Sequence, residues 1–284
     1  MTQPITVQIQ HLLRQRAELR NEAFGATLTW FVAEGLALRL GKSVVREQVL
    51  LRGDLMLHAL LGGDAPYEWD AELIAKHPMS LTALAKNLRE VCDVEIADGL
   101  QLELPSGGIS EPICTSVGDV VPVALLGMLG TMRIPLHVKV SIDAIGSQPH
   151  ADFRFRSMLG RDLDARITTW SPQMAVAEAL RQIVEGGVAS VYPKRIWHLY
   201  QIIQAAKYEE AQVIACIKDT FRKRHTPLPN ATPLALSDEF AAHHSRKAGW
   251  EIYTRRARIH APPLTDVITG LRSVALPWLK SAIM

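Results

Sequence analysis

Asp70 and Glu72 stand two positions apart in the segment YEWDAELIA. On a strand, residues i and i+2 project from one face, so both carboxylates would share a surface. Two acids in that geometry can hold Mg²⁺ while the ion also engages substrate phosphates. The alternative is an edge strand whose alternating acids face water. Just upstream, QVLLRGD reads as a short buried strand that stops at Gly53, and Leu55 to Leu61 reads as a helix ended by Gly62 and Gly63. A helix that begins after such a turn offers unbonded amides to a phosphate. Arg52 stands at the same junction.

The other chemistry-bearing residues form no recognised constellation. His198, His243, His244 and the three cysteines (Cys92, Cys114, Cys216) lack zinc-ligand spacing. G-x-S-x-G, Walker A and G-x-G-x-x-G patterns are absent from the sequence. An odd number of widely spaced cysteines suits reduced thiols. The opening MTQPITVQIQ lacks the basic and apolar regions of a secretory signal, and no apolar run reaches the ~20 residues of a membrane span. A cytoplasmic chain without a membrane association is the expectation. Of its 284 residues 48% are hydrophobic and 21% charged, which excludes a disordered chain. The net charge of +2 excludes a polycation but leaves room for a local basic face. From Lys194 onward fourteen Lys and Arg stand against seven Asp and Glu, with Arg222, Lys223 and Arg224 in a row. Phosphate contacts are mostly Lys and Arg, so nucleic acid is one partner for such a region. An acidic protein partner and a solvated helix face are the others.

The elements that must position these residues follow from pattern. Residues 5–22 and 26–40 read as two helices, the second with Gly41 as its C-cap. After the strand–glycine–helix unit and YEWDAELIA, a helix over MSLTALAKNLREVC takes Ser80 as N-cap. VEIADGLQLEL, ISEPICTSV, VPVALLGML and MRIPLHVKVSIDAI read as strands, with a hairpin turn at Asp98-Gly99. Beyond about residue 150 the strands are expected to stop. Residues 173–185, 193–206 and 208–224 read as helices, with Pro193 at the first helical position of the middle one. A Pro-rich stretch then leads to a last helical section. The fold class is α+β: N-terminal helices plus a mixed-sheet core over 1–150, and a helical C-terminal part over 151–284.

Several stretches resemble the AbiEii/AbiGii-toxin-like nucleotidyltransferase family across roughly residues 8–258. WFVAEGLALRL followed by QVLLRGDLML is similar to that family's leucine-rich helix and V-L-K-G-G/A strand. REVCDVEIADGLQLEL carries its D-G-L turn, and MAVAEALRQIV its A-E-K helix. The most specific resemblance is AQVIACIKDTFRKRHTPLP with the downstream LSDEFAAHHSRKAGWEIY. The resemblance implies a bacterial nucleotidyltransferase-like fold. Its members are often toxins of toxin–antitoxin or phage-defence loci that use NTP and Mg²⁺ and pair with an antitoxin.

The family's polar residues carry over only in part. Its Lys in K-G-G is Arg52 here, and its next small residue is Asp54, a carboxylate that would cap the amides meant for a triphosphate. R-x-T-x-D-x-D becomes Pro66 to Glu72, which keeps both acids and loses the Arg and Thr. A third Asp falls on Lys139 in an ungapped match, or on Asp143 with a gap. In A-E-K, Glu178 matches and Lys becomes Ala179, while in N-S-R-x-K-D-x-x-D only Lys194 matches. Two readings stay open. One is a pseudoenzyme with an eroded site and a binding or assembly role, to a protein partner or nucleic acid. The other is a working transferase in which Asp70 and Glu72 hold the metal, Arg52 with Gly53 binds nucleotide, and Lys194 joins the catalytic set.

Overall fold

The computed structural model describes residues 5–61, 71–115, 118–142, 149–160, 163–186, 192–205 and 208–283. The chain divides into two compact units, Met1–Thr169 and Trp170–Met284.

In the first unit, helix α1 (Ile5–Leu19) buries Ile9, Leu13 and Ala17, one residue per turn. Helix α2 (Phe24–Lys42) is buried along almost its whole length from Thr27 to Gly41, and its mean hydropathy fits a helix enclosed on all sides. Gly41 lies inside this helix and is not its cap. A Cβ there would stand 2.7 Å from the Ala165 Cβ and 2.8 Å from the Arg166 carbonyl, so the glycine permits close approach to a strand. After a 3₁₀ turn (Val44–Glu47) come β1 (Val49–Arg52), α3 (Gly53–Leu61), β2 (Ala71–Ala75) and α4 (Leu81–Cys92). Ser80 caps α4 as expected, its hydroxyl accepting from the Ala83 amide at 3.2 Å.

The remaining strands are β3 (Gln101–Glu103), β4 (Ile113–Thr115), β5 (Gly118–Leu129), β6 (Met132–Ser141), β7 (His150–Arg156) and β8 (Asp164–Trp170). They form one mixed sheet of eight strands in the order β3-β5-β6-β2-β1-β8-β7, with β4 also on β5. β1 runs antiparallel to β2 and parallel to β8, and β2 runs parallel to β6. Val49 and Leu51 of β1, Leu73 of β2 and Val138 and Val140 of β6 face one core with α2. The alternate residues of those strands, including Arg52, Glu72 and Lys139, take the other face.

Two expectations are corrected here. Strands do not stop near 150, because β7 and β8 complete the sheet and β8 lies directly beside β1. The first unit therefore reaches Thr169. Asp98-Gly99 is not a hairpin turn, since β3 pairs with β5 rather than with a strand before the turn. Asp98 is instead buried against Arg39 of α2, which donates to it at 2.6 and 3.0 Å through both terminal nitrogens.

The second unit contains α5 (Pro172–Glu185), α6 (Pro193–Ala205), α7 (Glu210–Lys223), a 3₁₀ turn (Leu234–Leu236), α8 (Asp238–Ala242), α9 (His244–Ala257) and α10 (Leu264–Ile283). Ser171 caps α5 with its hydroxyl, and Pro172 opens that helix. α7 packs between α5 and α10, and α6 lies against α5, α9 and α10. α9 buries only Trp250 and Tyr253, so most of its surface meets solvent.

Candidate functional site

The strand–glycine–helix junction forms where the sequence places it. β1 ends at Arg52, and Gly53 turns the chain into α3 with φ +70°, a left-handed value that a Cβ would strain. An isolated bridge from Gly53 to Ala71 then continues the antiparallel pairing of β1 with β2. Asp54 sits in the first turn of α3 and is fully buried. An acid in that turn favours the positive end of the helix, the same place that would favour a phosphate.

Across the sheet, Arg52 is the register partner of Glu72, and Glu72 is the register partner of Lys139. Paired strands lie about 5 Å apart, so a carboxylate is flanked by a cation on each side in one row. The Arg52 Nε donates to a Glu72 carboxylate oxygen at 3.2 Å, with both side chains only about a fifth to a quarter exposed. Lys139 thus stands opposite Glu72 in the sheet. Asp70 and Asp143 lie outside the described residues. Among the described residues, no group of three His, Cys, Asp or Glu side chains gathers to hold a metal.

Of the expected site residues, the sheet brings together Arg52, Gly53 and Glu72. Lys194 belongs to the second unit, in the first turn of α6. One turn on, burial, helped by the Lys194 charge, pushes the His198 imidazole down to about 3. His198 is thus neutral at physiological pH. Glu178 of α5 is held in a buried ion pair. It accepts from Arg181 at 2.8 and 3.2 Å, and both side chains are about 1% exposed.

Arg222, Lys223 and Arg224 end α7, and they are not a free cationic row. Asp219 pairs with Arg222 and with Lys223, each at 2.7 Å. Burial raises the Asp219 pKa, but the hydrogen bonds and charges of those two cations outweigh it and hold the carboxyl below its usual range.

Three buried polar groups carry no signal in local sequence. Arg39 bonds Asp98, the Leu100 carbonyl at 2.5 Å and the Gly35 carbonyl at 3.2 Å, closing the turn before β3 onto α2. His58 of α3 lies between the rings of Trp30 and Phe155, at 5.1 and 4.9 Å. Glu34 of α2 accepts from the Ser157 hydroxyl at 2.5 Å and the Met158 amide at 2.8 Å, tying α2 to the turn between β7 and β8. Burial pushes the Glu34 carboxyl up to about 7, against the lowering effect of those two bonds and of Arg16.

An α+β chain with a mixed eight-stranded sheet and a helical second unit is the class these observations define. No protein-family description matches this chain, and no curated protein matches it either. In structure it is similar to JHP933 from Helicobacter pylori, at 10% identity over 88% of this chain and 89% of that one, with a TM-score of 0.45. It is also similar to a candidate nucleotidyltransferase from H. pylori, at 11% identity over 91% and 96% of the two chains, with a TM-score of 0.42. Among the described residues, no helix is long and apolar enough to cross a membrane.

Proposed function

We propose that this chain is a nucleotidyltransferase-fold protein related to AbiEii-like toxins that has lost its catalytic site and acts by binding. Its role is that of a partner or assembly subunit in the bacterial cytoplasm, and three free thiols, one of them exposed, suit that compartment. The observation that carries the reading is the row Arg52–Glu72–Lys139. A carboxylate already compensated by neighbouring cations has little to gain from Mg²⁺, because the metal would have to displace an ion pair and then meet a second fixed charge. Asp54 adds to this by placing negative charge where the triphosphate of an NTP would dock. Mg²⁺ and NTP therefore do not fit the described residues.

One observation favours the enzymatic reading. The Gly53 turn and Arg52 persist at the head of α3, and a guanidinium can grip phosphate in bidentate fashion. On that reading the chain is a Mg²⁺-dependent toxin of a toxin–antitoxin or phage-defence system that transfers a nucleotide from NTP to RNA or protein. Asp70, Glu72 and Lys194 would then form its catalytic set. Incubation with each labelled NTP, Mg²⁺ and total RNA or lysate protein separates the two. Absence of label transfer supports the binding reading, and transfer lost in Glu72→Gln supports the enzyme.

A further inference from the structure

Helix α9 carries five basic residues with its cap, and Glu251 is the one acid between His243 and Thr265. Lys247, Arg255 and Arg256 are exposed and form no ion pair among the described residues. This contrasts with the end of α7, where Asp219 engages two of three cations.

The chain leaving α9 is built to bring further cations alongside. Arg258 caps the helix at φ +53°, and its amide bonds the Arg255 and Thr254 carbonyls. A left-handed cap normally takes Gly, or sometimes Asn, so Arg258 holds a strained backbone. The Ile259 amide then bonds the Thr254 carbonyl at 3.0 Å, and the Trp250 indole N–H bonds the Pro262 carbonyl at 3.0 Å. Folded back in this way, the chain sets His260 beside Arg255 and Arg258. Together with Glu251, Thr254 and Ile259 they line an open concavity of about 480 Å³.

At ~1.5 Å per residue, the span from Lys247 to Arg258 is about 16 Å, longer than a single phosphate group needs. Helical geometry at 100° per residue puts Lys247, Thr254 and the start of the cap on one side of α9, with Glu251 the single acid among them. Repeated charges along a line fit a ligand with repeated charges. Among the described residues, no Phe, Tyr or Trp lines the concavity, so it offers no platform of the kind on which bases stack.

We propose that this face of α9 binds the phosphodiester backbone of a nucleic acid without reading its bases. Arg255 and Arg258 grip successive phosphates, His260 supplies a further donor, and Lys247 extends the contact along the helix. This surface is independent of the Arg52–Glu72–Lys139 row, so the test of either proposal leaves the other standing.

The experiment is fluorescence anisotropy of the full chain with labelled 20-nucleotide single-stranded RNA, single-stranded DNA and duplex DNA, at 50 to 200 mM NaCl. Binding should weaken linearly on logarithmic axes as salt rises, irrespective of base sequence. The double variant Arg255→Gln/Arg258→Gly should bind about tenfold more weakly at 100 mM salt and lose about two from the salt slope. Arg258→Gly alone relieves the left-handed cap, so it should weaken binding while leaving the melting temperature at or above wild type. That combination separates lost contact from lost folding. Lys86→Gln, an exposed charge on α4, should bind as wild type does. Unchanged affinity in the double variant overturns the proposal. So does wild-type binding to polyglutamate with none to any of the oligonucleotides, which would assign the surface to an acidic protein. A preference among the three nucleic acids identifies which backbone is the ligand.

Discussion

Replacing Glu34 by Gln should stabilise the protein at pH 8 and flatten the pH dependence of its folding. The carboxyl is wholly buried on α2, and burial raises its pKa from the ordinary 4.5 to about 7. Arg16 favours the ionised form, Asp98 opposes it, and the Ser157 and Met158 bonds recover only part of the desolvation cost. In the unfolded chain the group ionises near its ordinary value, so between pH 4.5 and 7 the native state holds a proton that the unfolded state has released. Stability from this group is therefore fully present below the unfolded pKa and is lost as pH rises through the folded one. At roughly 1.4 kcal/mol per pKa unit, the loss on reaching pH 8 amounts to about 3 kcal/mol. Glutamine mimics the protonated acid: its oxygen can accept from the Met158 amide while its NH₂ donates to the Ser157 hydroxyl. Urea unfolding at pH 5, 6, 7 and 8 should show the wild type falling behind Glu34→Gln progressively, by about 2 kcal/mol or more between pH 5 and 8. Taking the difference cancels the other titrating groups. A difference that stays constant across this range would refute the reasoning, because Glu34 would then be ionising alike in both states.

Three further substitutions bear on the frame and the site. Asp98→Ala leaves the Arg39 guanidinium buried without its counter-ion and should cost about 3–5 kcal/mol in urea unfolding. Gly41→Ala forces a Cβ into the Ala165 side chain and the Arg166 backbone, and should cost about 1–3 kcal/mol by the same measurement. Lys139→Asp exchanges the cation beside Glu72 for a second carboxylate, and titration calorimetry should detect Mg²⁺ binding that the wild type lacks.

The parts of the fold that were legible in sequence are those specified by neighbours in the chain. An apolar run ending in Arg52-Gly53 marks β1 and its turn, because only a glycine readily takes the left-handed φ between strand and helix. Ser80 marks the start of α4 because a hydroxyl three residues before a free amide can cap it. β7 and β8 were not legible. HADFRFR interleaves charges with two phenylalanines as an outer strand does, and β8 is defined by its parallel pairing with β1, more than a hundred residues away. The Asp98-Gly99 pair has hairpin composition, yet its carboxylate is bonded by Arg39, 59 residues distant, and that contact decides its conformation. At the candidate site, Glu72 and Arg52 were readable as residue types. Their mutual ion pair depends on strand register and was not. Gly41 shows the same limit: its small size answers to Ala165 and Arg166 across the fold rather than to the end of its own helix.

The central claim is that fixed cations on neighbouring strands already compensate Glu72 and leave no place for metal and nucleotide. Isothermal titration of the full chain with each NTP in the presence of Mg²⁺ tests it most directly. The account expects no binding tighter than the millimolar range for any nucleotide, a loss in keeping with unfavourable charge at a phosphate contact, ~2–5 kcal/mol or roughly 30- to 4,000-fold in affinity. Micromolar binding that disappears in Glu72→Gln would contradict it.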